Sequence, residues 1–208
     1  MSEGLALAGV SKAYGALRVL EDVTARFAPG RTHVLMGPSG AGKTTVLRLL
    51  AGLEDPDAGR VERPVGARLA MTFQEDRLLD GLTATANIRL PLEPLRGARL
   101  ERELARERAA LEAVGLPVDR RPVRELSGGQ RRRVAILRCA LADADVMLFD
   151  EPLKGMDERT AQRVNDFLRP LLAGRTVLWV THDEREVALL DRPLLWTVRE
   201  GGVRGPHM

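Results

Sequence analysis

The sequence predicts an α/β fold built on a parallel sheet, and three observations predict it. From residue 33 onward, strand-like apolar runs alternate with helix-patterned segments, the order of strand–helix–strand units. A glycine-rich loop, Gly37-Pro38-Ser39-Gly40-Ala41-Gly42-Lys43-Thr44, stands between one such strand and one such helix. Between residues 91 and 122 an Arg/Glu/Ala/Leu-rich stretch interrupts the alternation and reads as helices inserted into the core.

Taken in order, residues 5–10 and 19–27 read as short strands, closed by the turn Pro29-Gly30. Residues 33–36 form a short apolar strand that runs into the glycine-rich loop. Val46, Leu47, Leu49 and Leu50 give 44–53 helical spacing, and 59–62 and 67–73 read as further strands. In the middle stretch Leu100, Leu104, Leu111 and Val114 mark one helical face, and the many charges read as a solvated face. A second helix runs from Ser127 to about 141. Strands return at 146–149 and 176–180, separated by an amphipathic helix near 158–172.

At 208 residues the chain is one domain's worth, with room for a subdomain. Its 44% hydrophobic and 29% charged residues exclude a wholly disordered chain. No apolar run approaches the roughly 18 residues that span a bilayer. Met1-Ser2-Glu3-Gly4 lacks the features of a secretory signal, and one cysteine, Cys139, excludes an internal disulfide framework. A soluble, cytoplasmic protein is expected. The charge balance, 32 − 29 = +3, is too even to require a nucleic-acid partner. Lys12, Lys43 and Lys154 are the only lysines, so arginine is the default cation and a lysine inside a motif is informative. Arg131-Arg132-Arg133 reads as the beginning of a polar helix face rather than a nucleic-acid contact.

Three segments carry chemistry. The loop of residues 37–44 fits G-x-x-x-x-G-K-[ST]: its glycines let backbone N–H groups curl around a polyphosphate, Lys43 supplies a point charge, and the Thr44 hydroxyl can ligate Mg²⁺. Val146-Met147-Leu148-Phe149-Asp150-Glu151 is an apolar strand ending in two carboxylates. Lying parallel and adjacent to the loop's strand, it would put Asp150 near that Mg²⁺ and leave Glu151 placed to polarise a water. Leu126-Ser127-Gly128-Gly129-Gln130 opens a helix that Ser127 can cap, with exposed N–H groups as an anion site. Two phosphate-binding segments in one chain imply either two nucleotides or one nucleotide held between two chains.

On these residues the chain resembles an ABC-type ATPase subunit, the nucleotide-binding engine of ABC transporters. The phosphate loop, Gln74 after an apolar strand, the pentapeptide at 126–130, the Asp150-Glu151 strand and His182 after Trp179-Val180-Thr181 occur in that family's order. The resemblance implies a P-loop NTPase (RecA-like) core with an N-terminal antiparallel β subdomain and a helical signature subdomain inserted at about 75–143, in one domain of residues 1–204. It implies ATP and Mg²⁺ as ligands. Tyr14 would stack on adenine, against the plainer reading of a core or surface ring, and Gly37, Pro38, Ser39, Gly40, Ala41, Gly42, Lys43, Thr44 and Thr45 would surround the phosphates. Thr44, Gln74 and Asp150 would lie at the metal, and Lys43, Gln74, Glu151 and His182 would serve hydrolysis. Ser127, Gly128, Gly129 and Gln130 would face the ATP of a second chain.

Further implied are a head-to-tail dimer (homodimer or paralogue) and transmembrane permease subunits docked around residues 74–79, with Leu78 and Leu79 in contact. A solute-binding protein completes the system, which works at the inner face of the cell membrane. Glu75-Asp76-Arg77-Leu78-Leu79 is similar to the importer branch for nitrate, sulfonates and taurine. The alternative is a soluble ABC ATPase of DNA repair or translation, whose usual coiled-coil insertion or second ATPase domain this chain lacks. A P-loop kinase or GTPase would leave the pentapeptide unexplained. Lys154 and Met156 depart from the family pattern after the catalytic glutamate. His33 and His207 match nothing, and Gly205-Pro206-His207-Met208 resembles a cloning remnant.

Overall fold

Alternating inward positions of β1 (Leu5–Tyr14) and β2 (Leu17–Phe27) bury Leu5, Leu7, Val10, Leu20, Val23, Ala25 and Phe27, so the two strands close as an antiparallel hairpin. The computed structural model describes residues 4–207. A third strand, β4 (Ala58–Glu62), pairs with the other edge of β1, giving the order β2-β1-β4.

The second sheet is built from β3 (Thr32–Met36), β5 (Leu69–Met71), β6 (Val146–Asp150), β7 (Thr176–Thr181), β8 (Leu194–Arg199) and β9 (Gly202–His207). Its order is β5-β6-β7-β3-β8-β9, parallel throughout except that β9 returns antiparallel on β8. Every residue of β6 and β7 is buried, as expected of central parallel strands. Helix α1 (Lys43–Ala51) lays Val46, Leu47, Leu49 and Leu50 into one core with Leu35, Leu148, Leu178 and the apolar residues of β1 and β2.

Contacts divide the chain into two units. The first comprises Met1–Met71, Ala144–Glu151 and Leu172–Met208, and holds both sheets, α1 and α6 (Glu184–Leu189). The second comprises Thr72–Asp143 and Pro152–Leu171: α2 (Ala84–Arg89), α3 (Gly97–Ala113), α4 (Gly128–Ala140) and all but the last residue of α5 (Glu158–Leu172). It contains the stretch expected as an inserted subdomain and adds residues 152–171 to it.

Among the described residues, α2, α6, β8 and β9 have no counterpart in the elements expected from the sequence. α2 and α6 are only six residues each, too short for periodicity to register. β8 and β9 lie beyond the last motif, and β9 takes in Gly205, Pro206 and His207, so the segment set aside as a tail is a strand as far as it is described. His33 is bland in the sense expected. It is fully buried, the Trp196 indole donates to its Nδ1 at 3.0 Å, and Nε2 therefore carries the proton donated to the Ala28 carbonyl at 2.9 Å. Burial pushes its pKa down, keeping the ring neutral.

The solvated face expected for the middle helices is interrupted once. Glu107 of α3 is fully buried and receives two guanidinium bonds from Arg89 of α2, at 2.8 and 2.7 Å. The Arg89 side chain retains 25% exposure whereas that of Glu107 has none, so the two halves of the pair differ in what their loss leaves behind. Arg89→Met should strand a buried carboxylate and cost about 3 kcal/mol or more. Glu107→Gln keeps an acceptor beside a cation that still reaches water, and should cost only about 1 kcal/mol. Urea unfolding of both variants checks this order.

Candidate functional site

Three parallel strands end level. Met36 of β3 stands opposite Thr181 of β7, and Asp150 of β6 opposite Val180 of β7, so the phosphate loop, His182 and Glu151 all leave the sheet at its carboxyl edge. The Asp150 strand is not next to β3 as expected from the sequence; β7 lies between them. The two still meet because α1 lies against both β6 and β7. From its first turn the Thr44 hydroxyl donates to Asp150 Oδ1 at 3.2 Å.

Two glycines set the path of the loop. A Cβ on Gly37 would lie 2.2 Å from the Val198 carbonyl oxygen, so no side chain fits there. Gly42 precedes α1 at φ 97°, in the left-handed region, and a Cβ on it would lie 2.8 Å from Val19 Cγ1. Between them Pro38, Ser39 and Gly40 are exposed. Lys43 is 6% exposed, and its ammonium donates to the carbonyls of Gly37 and Pro38, each at 2.8 Å. A buried cation is thus held inside an open loop at a helix N-terminus, where an anionic oxygen would compete for it.

Asp150 and Glu151 are buried at 1% and 6% exposure. Glu151 adopts φ 46°, unusual for a residue with a side chain, and its N–H donates to the Val180 carbonyl at 3.0 Å. Its Oε1 lies 2.9 Å from His182 Nδ1, in a ring that is half exposed. With Nδ1–H given to the carboxylate, Nε2 is a donor only when the ring is protonated. Asp183, the next residue, caps α6. Its bonds from the Arg185 side chain and then the Arg185 N–H hold its pKa down to about 2. Beneath this edge Glu186 accepts from the Trp179 indole at 2.9 Å; burial raises its pKa, with that bond opposing.

The Thr44 hydroxyl and Asp150 carboxylate are hard oxygen donors of the kind Mg²⁺ takes, and they fit such an ion. Among the described residues no group of three or more His, Cys, Asp or Glu is placed to hold a metal. Mg²⁺ held here would complete its shell with phosphate oxygens and water, its usual arrangement. Thr45, next to Thr44, is buried, and its hydroxyl stands beside the Tyr14 phenol. Tyr14 is 43% exposed at the end of β1.

The second unit holds the remaining expected residues. Ser127 and Gln130 form a reciprocal capping box: the Ser127 hydroxyl accepts from the Gln130 N–H at 3.3 Å, and the Gln130 side chain accepts from the Ser127 N–H at 2.9 Å. Gly128 and Gly129 are exposed, with space where a Cβ would stand. Gln74 is exposed as well.

The arginines that follow are not the polar face expected. Arg132 is buried; it donates to the carbonyls of Phe73, Gln74 (3.3 Å) and Pro152 (3.2 Å) and faces Asp76. Arg131 pairs with Asp76 and Asp80, and Arg138 donates to the carbonyls of Asp76 and Arg77. One helix therefore grips the Gln74 segment by its backbone, a role no motif announces. Nor does any motif point to Glu186.

A family model described as ABC transporter matches residues 20–154. The Fe(3+) ions import ATP-binding protein FbpC 1 of Rhizobium meliloti (strain 1021) is 38% identical over 93% of this chain, which spans 58% of that protein's length. The aliphatic sulfonates import ATP-binding protein SsuB 1 of Rhodococcus jostii (strain RHA1) is 43% identical over 93% of this chain and 79% of its own length. Among solved structures, the dimeric MJ0796, a bacterial ABC transporter cassette, matches with a TM-score of 0.83 at 27% identity, covering 97% of each chain. The same cassette in a post-hydrolysis state bound to ADP and Pi matches equally well.

Lys43→Ala removes the loop's buried cation while leaving its backbone path to Gly37 and Gly42. ATP affinity measured by calorimetry should fall by about tenfold or more. Unchanged affinity would remove the loop from the site.

Proposed function

The chain belongs to the ABC transporter family, and on that premise we propose that it is the ATP-binding and ATP-hydrolysing subunit of an importer. It drives a small solute through separate transmembrane permease subunits. The observation that carries this reading is the meeting of Lys43, Thr44, Asp150, Glu151 and His182 at one sheet edge.

On ATP binding, Lys43 exchanges two loop carbonyls for outer phosphate oxygens, and N–H groups of the loop other than at Pro38 face the remaining ones. Tyr14 stacks on adenine. Thr44 and Asp150 would hold Mg²⁺, with Gln74 as the further ligand that the family resemblance implies, and the ion would supply charge neutralisation on the phosphate oxygens. Glu151 accepts a proton from the attacking water, and His182 holds the terminal phosphate. Because His182 Nδ1 already serves Glu151, the ring reaches a phosphate through Nε2. The pair works as one unit.

A second copy or a paralogue completes the site. Ser127 Oγ is occupied as an acceptor, but its proton remains free to be donated, and Gly128, Gly129 and Gln130 present the start of α4 to the ATP of the opposite chain. The dimeric cassette relative supports this pairing. Leu78 is buried at 8% exposure, so it supports the 74–79 segment from within; Leu79 at 52% and Leu90 at 46% are the apolar side chains that a permease helix would cover. The chain works from the inner face of the membrane on separate permeases; no helix among the described residues is long and apolar enough to cross a membrane. A solute-binding protein delivers the solute. The higher identity to the sulfonate protein, 43% against 38%, favours the nitrate, sulfonate and taurine branch. The named relatives are import proteins, which favours transport over DNA repair or translation.

Glu151→Gln keeps the bond to His182 and removes the base. Hydrolysis should fall by about 100-fold or more, ATP should still bind, and a dimer should accumulate with Mg-ATP on size exclusion. Normal hydrolysis by this variant would overturn the assignment of the base.

A further inference from the structure

Tyr14 stands at the tip of the β1–β2 hairpin, where an exposed ring would ordinarily sample several rotamers. Here it is tied down from two directions. Its hydroxyl donates to Glu54 Oε2, and the other oxygen of Glu54 receives Arg48 Nη1 at 3.1 Å. The Lys12 ammonium lies 5.7 Å from the ring centroid, itself fixed by the Asp55 carbonyl at 2.8 Å and Asp57 Oδ1 at 3.1 Å. Burial, and then the bond to Glu54, push the phenol pKa up, so the hydroxyl stays a donor.

Arg48 belongs to α1, the helix that starts at Lys43 of the phosphate loop. The two are five positions apart along the helix, about 7.5 Å of axial rise. Through Glu54 the aromatic ring is therefore tethered to the same rigid helix that carries the phosphate-binding lysine.

We propose that Glu54 is a positioning residue for base recognition: by binding the Tyr14 hydroxyl and Arg48 together, it locks the Tyr14 ring as a preformed platform for a purine base at a set distance from the phosphate loop. The proposal rests on the reading that Tyr14 stacks on the base. The ordering entropy of the ring is spent before nucleotide arrives, so Glu54 raises affinity without entering the chemistry. Stacking alone needs only the ring; the lock also needs the hydroxyl.

The test uses the full chain and the variants Tyr14→Ala, Tyr14→Phe, Glu54→Ala, Glu54→Gln and the Tyr14→Phe/Glu54→Ala double, with thermal unfolding to verify folding. ATP affinity is read by calorimetry and kcat by phosphate release. Tyr14→Phe and Glu54→Ala should each weaken binding and raise KM by roughly three- to tenfold with kcat nearly unchanged. Glu54→Gln, which keeps an acceptor, should recover most of the loss. The double variant should be no worse than either single one, because both remove the same interaction. If Tyr14→Ala weakens binding while Tyr14→Phe and Glu54→Ala do not, the stacking reading stands and the lock is overturned. Multiplying effects in the double variant would also overturn it. If Tyr14→Ala leaves affinity unchanged, the stacking reading itself falls, and the proposal with it. Tyr14→Phe is conservative at a half-exposed position, so it keeps the test decisive even if a Glu54 variant misfolds.

Discussion

Thr44 and Asp150 are separated by more than a hundred residues, and the bond between them marks the constraint on which the site depends. It exists because β3, β7 and β6 run parallel and stop together, so the three segments that leave them emerge side by side. A parallel sheet imposes this geometry, since every crossover returns the chain to the same edge before the next strand begins. Lys43, Glu151 and His182 are placed by the same arrangement. Disturbing the register of β6 by one residue would turn Asp150 to the other face of the sheet and break its bond to Thr44 without touching the loop.

How much of this was legible beforehand follows from the kind of signal each element carries. The phosphate loop was readable because its glycines are dictated by space: Gly37 and Gly42 have no room for a side chain. The Asp150-Glu151 strand end was readable from an apolar run that stops in carboxylates, and Ser127 from its capping chemistry. Strand order was not readable. Periodicity identifies β7 but cannot say that it slides between β3 and β6, and so the Asp150 strand was expected one place too close. α2 and α6 were too short to announce themselves, and β9 runs into the residues set aside as a tail.

Charged residues were the harder class. The same arginine-rich composition that looks like a solvated surface supplies Arg89 to a buried glutamate and Arg132 to three backbone carbonyls. Sequence spacing shows which helix face a residue occupies, but not whether a chain segment will pass over that face and bury it. Arg132 satisfies carbonyls of the irregular segment that follows β5, groups that secondary structure leaves without partners. The residues around the reacting groups are thus readable as motifs, while those that hold them in position, Glu54, Arg132 and Glu186, are visible only in three dimensions.

In the proposed function, the Thr44–Asp150 pair makes the phosphate loop a Mg-ATP site rather than a general anion cradle. ATP affinity of the parent protein and of Asp150→Asn, each measured with Mg²⁺ and with a chelator, tests this directly. The parent should bind ATP more tightly with Mg²⁺, and Asp150→Asn should lose that gain while its Mg-free affinity stays within about threefold. An Asp150→Asn protein that retains the full Mg²⁺-dependent gain would contradict the account.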